Sequence, residues 1–291
     1  MTNPSPNALP RRWSLFRGAR IRLGRRNYSF AVGIVGFVAI VLAAIFAPVL
    51  TPYDPITLDF TSALQPPSWA HPFGTDNLGR DVLARVLFAA RIDLQIGAIG
   101  VAFPFVIGAV IGLFAGYFGG WADTLIGRLI DIVIAFPFLV LVIAIVAMLG
   151  PGLVNLYIAV TLVSWVLYAR ILRGETLALK RREYVMAATS LGFPHLKIMF
   201  RHILPNAIAP AIVFAMSDYA LDVQLGATLS FFGLGVQPPT PEWGLMIAEA
   251  RNFMLTEPWV ILFPGLAIVV LSLCVSLIGD GLADRARGLD G

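Results

Sequence analysis

The chain has 291 residues, 58% of them hydrophobic and only 13% charged, with a mean hydropathy of +0.82 and a formal net charge of +4. This composition excludes an ordinary soluble domain and points to a bundle of membrane helices. The single cysteine, Cys274, excludes an internal disulfide.

Residues 1–27 hold seven arginines and read as a cytosolic basic tail. A nucleic-acid-binding arm is the competing reading; a topology signal beside the first span is preferred. Residues 28–50 carry no charge and are long enough to cross a hydrocarbon core as a helix. A cleaved signal peptide fits poorly. The charged lead is long, the apolar run exceeds a normal h-region, and the best small-residue site, Ala44–Ala47, is followed by Pro48. An uncleaved first span is expected.

Residues 51–91 read as an extracytoplasmic segment. Thr75 or Asp76 is placed to cap a turn, and Asp81–Ala90 to form a helix with Val82, Leu83, Val86 and Leu87 on one face and Arg85 on the other. That pattern predicts a short helix at the membrane surface or under a docked protein. Lone His71 reads as part of a structural turn. The second span is the uncharged stretch 94–118. Between Asp131 and Arg170 lie 38 uncharged residues, too many for one span, and Gly150-Pro151-Gly152 divides them into a helical hairpin. Phe136-Pro137-Phe138 is placed to kink the third span. A fifth span starts near Pro205 and runs to about Gly235, and 258–279 supplies a sixth. Between them, Gly233 and Gly235 permit close packing, while Pro238, Pro239 and Pro241 stop the helix and shape a stiff loop. Trp121, Trp243 and Trp259 fall near span ends, as in an interfacial belt.

With both termini on one side, that side carries 17 of the basic residues and the other side four: Arg80, Arg85, Arg91 and Arg251. The termini, including the tail 283–291, and the loop at about 176–205 are therefore expected in the cytosol. A multi-pass membrane protein is expected. Only two lysines are present, Lys180 and Lys197, and neither follows a glycine as a phosphate-binding loop requires. Ion coupling needs ionisable groups at mid-membrane. Asp131 lies near a span end. Asp218 and Asp222, four apart on one helix face, either face a water-filled path, pair with a partner helix, or carry protons.

The loop itself reads EYVMAATSLGFPHLKIMFRHILPN, Glu183 to Asn206, with Ala187, Ala188 and Gly192 followed by Leu204-Pro205. Two short helices, roughly 176–190 and 194–203, are expected to join at Gly192, with Pro194 starting the second. Ala187 and Ala188 would let a partner approach closely, and Phe193 would anchor in a partner's groove. This pattern resembles the "EAA loop" of binding-protein-dependent ABC importer permeases. The stretches His71–Arg91 and Leu229–Gly244 resemble the C-type subunit of the dipeptide, oligopeptide and nickel permeases. The family's glutamate before the paired alanines is Met186 here, and Glu183 sits three residues earlier.

The resemblance implies an all-α, six-span type I ABC importer membrane domain over residues 92–282. The coupling site would comprise Glu183, Tyr184, Met186, Ala187, Ala188, Leu191, Gly192, Phe193 and Pro194. Asp218 and Asp222 are candidates for the translocation path. The implied partners are a homologous B-type permease, two cytosolic ABC ATPases holding ATP and Mg²⁺, an extracytoplasmic solute-binding protein and membrane lipid. No catalytic residue, metal or cofactor is expected on this chain, nor a nucleic-acid partner. Short peptides lead as solute, ahead of nickel complexes. An ion-coupled secondary transporter and a scaffold protein are the other classes. His195 and His202, seven apart, read as surface or ATPase-facing residues in preference to metal ligands.

Overall fold

The computed structural model describes residues 23–286, so the tail expectations for 1–22 and 287–291 lie outside the described residues. The first span, α1 (Leu23–Ile45), is followed by the four-residue α2 (Ala47–Leu50), with Pro48 in its first turn. An extended segment with one 3₁₀ turn at Phe60–Ser62 leads into α3 (Val82–Phe118), 37 residues long. The separate surface helix expected at Asp81–Ala90 does not exist; those residues are the first turns of α3. Asp81 starts them by accepting from the Ala84 amide at 2.6 Å, and no glycine or proline interrupts the run into the span. His71 Nδ1 lies 2.9 Å from Asp81 Oδ2, steadying this start as a turn residue.

Next come α4 (Gly120–Ile134) and α5 (Phe138–Leu149), bent 89° to each other. Pro137 is the cause: it has no amide to donate and stands in extended backbone at ψ 123. The expected kink is thus a break. The hairpin then returns through Gly150-Pro151-Gly152 into α6 (Leu153–Leu179). Two short helices follow, α7 (Glu183–Ser190) and α8 (His195–Lys197). A π-helical turn, Ile198–Ile203, runs straight into α9 (Leu204–Phe231). The chain ends with α10 (Trp243–Ala250) and α11 (Trp259–Ala286). Among the described residues, five helices are long and apolar enough to cross a membrane, and the bent α4–α5 pair makes a sixth span if taken as one.

Lipid tails are as apolar as leucine, so helices here associate through close backbone approach. Gly108, Gly112 and Gly116 recur every fourth residue along α3. A Cβ on any of them would fall closer than 3.0 Å to a backbone carbonyl oxygen of α6, those of Trp165, Ala169 and Arg173 in turn. α1 meets α11 where Gly33 and Gly36 face Cys274, and α3 meets α9 where Gly97 faces the Tyr219 ring and Gly100 the Asp222 carboxylate.

At the end of the bundle carrying α10, polar groups are buried in pairs. Arg85, expected on a polar face, is 2% exposed; its Nη1 meets Asp76 Oδ2 at 2.5 Å and Glu249 Oε2 at 2.9 Å. Arg80 bridges the same two carboxylates at 2.7 and 2.8 Å. Trp243 is no interfacial residue. It is 2% exposed, its indole N–H donating to the Val86 carbonyl at 3.1 Å and its amide to Asp93 Oδ2 at 3.2 Å. Glu242 caps α10 by accepting from the Gly244 and Leu245 amides; burial pushes its carboxyl up, and those two amides pull it back. Trp259 is half-buried and Trp121 exposed.

The glycine seam predicts a sharp contrast. Gly112→Ala should lower the thermal midpoint of the purified protein, by about 1–3 kcal/mol of overpacking. Gly174→Ala, where nothing lies within 4 Å of the added carbon, should hold or raise it. Equal shifts for the two variants would remove the seam from the account.

Candidate functional site

α6 ends at Leu179, and α7 starts only at Glu183, after Arg182 in extended backbone at ψ 145. The helix expected from 176 is therefore shorter, because Thr176 belongs to α6, where it packs against Gly116. Glu183 sets a negative charge in the first turn, at the positive end of the helix dipole. Gly192 ends α7 as the sequence predicts, at φ +75. Its amide donates to the Thr189 carbonyl at 3.0 Å, and the Phe193 amide to that of Ala188 at 3.2 Å. This is a Schellman turn, with Phe193 packing back beside Ala188. The second expected helix does not stop at 203. The π turn widens the helix just ahead of Pro205, whose ring would clash with the Arg201 carbonyl in regular α geometry.

The segment has two faces. Val185, Ala188 and Phe193 turn inward onto a cluster that includes Tyr117, Tyr168, Leu172 and Met199. Ala188 is 4% exposed, so of the paired alanines only Ala187 is open to an approaching surface. Phe193, expected to reach a partner, instead stacks on His202 at 5.9 Å and carries Lys197 Nζ 4.0 Å above its ring. The outward face is apolar nonetheless. Met186 is 51% exposed and Leu191 73%, with Tyr184, Leu196 and Phe200 also open. Arg181, Arg182, Lys197 and Arg201 of the same segment are exposed as well. Exposed Pro194 starts α8.

Behind α7 lies an open cleft of about 490 Å³, lined by Tyr117, Lys180, Val185, Met186, Thr189 and His195 among others. Tyr117 Oη and His195 Nδ1 share a hydrogen bond at 2.8 Å. Lys180 Nζ donates to the backbone carbonyl of Tyr117 and lies 5.4 Å from its ring centre. Sequence reasoning missed Tyr117. The available signal was its place before Gly119-Gly120, where an uncharged span ends.

Asp218 and Asp222 lie far from this segment along α9, buried among α3, α6 and α9. Tyr168 donates its hydroxyl proton to Asp218 Oδ2 at 2.7 Å. Asp222 Oδ2 lies against Gly100 and has no hydrogen-bond partner among the described residues. Exposed Asp131 takes no part. No group of three His, Cys, Asp or Glu side chains able to hold a metal occurs among the described residues.

A helical bundle of five or six spans, with a short amphipathic helix projecting between two of them, is the membrane domain of a type I ABC importer. The chain belongs to the family of binding-protein-dependent transport system inner membrane components, whose model matches residues 108–288. A second model, the N-terminal transmembrane domain of oligopeptide transport permease C, matches residues 14–67. The chain is 42% identical over 260 residues to a dipeptide transport system permease protein of Alkalihalophilus pseudofirmus, covering 89% of this chain and 86% of the relative. It is 41% identical over 285 residues to a di/tripeptide transport system permease protein of Pseudomonas aeruginosa, covering 96% and 91%. It is 43% identical over 265 residues to a glutathione transport system permease protein of Pectobacterium atrosepticum, covering 90% and 87%. The protein is thus a multi-pass inner membrane permease of an ABC importer.

The Schellman turn gives a local prediction. Nothing lies within 4 Å of a Cβ built on Gly192, so Gly192→Val should cost only the left-handed backbone term, about 1–2 kcal/mol. Gly192→Asn should cost less. Thermal unfolding of the two purified variants orders them; a Val variant as stable as wild type would contradict the turn geometry.

Proposed function

We propose that this subunit encloses, with a homologous B-type permease, the path for short peptides delivered by an extracytoplasmic solute-binding protein. Support for peptides comes from the relatives named for dipeptide and di/tripeptide transport, and glutathione is itself peptide-like. The termini and the α7–α8 segment face the cytosol on the strength of the basic-residue bias, 17 against four. There α7 docks on one of two ATPase subunits, which hold ATP and Mg²⁺.

The observation that carries the docking reading is the outward face of α7 and α8. Met186 and Leu191, together with Leu196 and Phe200 at the start of the helix that continues into α9, stay exposed in a segment that also exposes Arg181, Arg182, Lys197 and Arg201. A surface of that kind suits an apolar groove with an acidic rim, which a soluble ATPase can offer. Closure of the ATPases on ATP moves α7 and α8, and α9 moves with them because the helix is continuous from α8. Asp218 and Asp222 sit on the face of α9 turned to α3 and α6, so they meet solute only once α9 parts from those helices. A secondary transporter would use the same carboxylates to carry protons, but the family relationship favours ATP as the source of work.

Two measurements test this reading. Met186→Arg combined with Leu191→Arg should strip the ATPase subunits from the purified complex and cut peptide uptake at least about tenfold, a loss of roughly 1.4 kcal/mol or more of docking energy. Full ATPase retention with normal uptake would sink the docking site. Separately, a cysteine at Ser190 in a Cys274→Ala background should react with a membrane-impermeant maleimide in inside-out vesicles and not in intact cells. The opposite labelling would reverse the orientation.

A further inference from the structure

The two chain segments that flank α7 both reach the same side chain. Lys180, just past the end of α6, donates to the Tyr117 backbone carbonyl and overlies its ring. His195, the first residue of α8, shares a hydrogen bond with the Tyr117 hydroxyl at 2.8 Å. Tyr117 is buried, one residue before the end of α3, and Phe118 sets its ring edge-on against both Tyr117 and His195, 5.2 and 6.0 Å between centres. A cation beside a helix's last carbonyls and a hydroxyl pinned to the next element fix this helix end from two sides.

A cleft of about 490 Å³ opens beside Tyr117, lined also by Lys180, Met186, Thr189 and His195, while Val185 and Ala188 of α7 pack in the same apolar cluster as Tyr117. Beyond Tyr117 the chain turns into α4 through Gly119 and Gly120, both at positive φ and both with nothing within 4 Å of an added Cβ. That corner is open space on a backbone only glycine adopts freely. Upstream, the opposite holds: the glycine seam locks α3 to α6.

We infer that Tyr117 is a positioning residue that carries displacement of the α7–α8 segment into the α3–α6 pair and, through the Gly119-Gly120 corner, into the bent α4–α5 arm. The inference rests on the reading of α7 as the ATPase-docking element. Packing of Val185 and Ala188 keeps the segment against the end of α3, and the polar ties at Tyr117 give that contact its direction. A tie to His195 alone would connect α8 to α3. With Lys180 on the same residue, both flanks of α7 act at one point.

The test uses the complete transporter in proteoliposomes, with partner permease, ATPases and binding protein, and measures peptide uptake and ATP hydrolysis together. Tyr117→Phe keeps the ring and loses the hydroxyl. Peptide moved per ATP should fall about fivefold, the scale of losing one net hydrogen bond. ATPase retention should be unchanged and hydrolysis should stay within about twofold of wild type, a factor smaller than such a bond is worth. His195→Phe removes the same bond from an exposed position and should give the same drop even if Tyr117→Phe accumulates poorly. Tyr117→His with His195→Tyr reverses the pair and should restore the ratio. A wild-type ratio in both single variants overturns the inference. If that occurs while Met186→Arg with Leu191→Arg still strips the ATPases, only the role of Tyr117 fails; if the ATPases remain in that double variant, the docking reading fails first.

Discussion

The close approach of α3 to α6 is the contact on which the rest of this molecule depends. Between helices in lipid there is little hydrophobic drive, so the gain must come from dispersion and backbone proximity. Gly108, Gly112 and Gly116 supply it against the carbonyls of Trp165, Ala169 and Arg173. Because the match repeats every fourth residue on both helices, it fixes register as well as distance. Arg173 then stands where it reaches Asp123 of α4, at 2.5 and 2.8 Å, and Lys180 stands beside the last carbonyls of α3. Neither polar contact would form if the helices sat one side chain further apart.

The α10 end is built on a different principle. Asp76, Arg80, Arg85 and Glu249 form a network whose members come from the segment before α3, from the first turns of α3 and from α10, far apart in the chain. Removing any one strands a buried charge, which costs far more than the pair contributes when intact. Such a network specifies one docking of α10 on α3 more than it adds stability. Trp243 reinforces that docking with a single indole bond to Val86, at a point where α3 has begun its run.

Most of the helical plan was legible in the sequence because its signals are local. Uncharged runs gave the spans, Gly150-Pro151-Gly152 gave the hairpin, and Gly192 gave the end of α7. What escaped depended on partners distant in the chain. Arg85 looked solvent-facing because Glu249 lies 164 residues away. Trp243 looked interfacial because its bond to Val86 is invisible to composition, and Phe193 looked outward because Lys197 and His202 fold back over it only in three dimensions. In the site, the turn at Gly192 could be read from the pattern, whereas the exposed face built on Met186 and Leu191 was not, the contact being expected from Ala187, Ala188 and Phe193; the two ties of Tyr117 come from Lys180 and His195 across 63 and 78 residues.

α9 is held to the α3–α6 pair by a different and weaker means than the seam. Gly97 and Gly226 allow local approach, and among the described residues two tyrosine hydroxyls at two heights tie α9 itself to the pair. Tyr219 donates to the Leu94 carbonyl at 2.9 Å and Tyr168 to Asp218 at 2.7 Å. Each is one hydrogen bond, worth about 1 kcal/mol net, so the two together resist separation far less than a continuous backbone seam does. If the bundle has two discrete arrangements, the parting line runs between α9 and the α3–α6 pair. Parting there exposes Asp218 and Asp222, and carboxylates at membrane depth are tolerated only with a partner or with water. Tyr168 is the only partner that either carboxylate finds among the described residues. Movement of α9 away from Tyr168 and entry of water along the same line are therefore one event: the helix that carries the carboxylates cannot leave its neighbours dry.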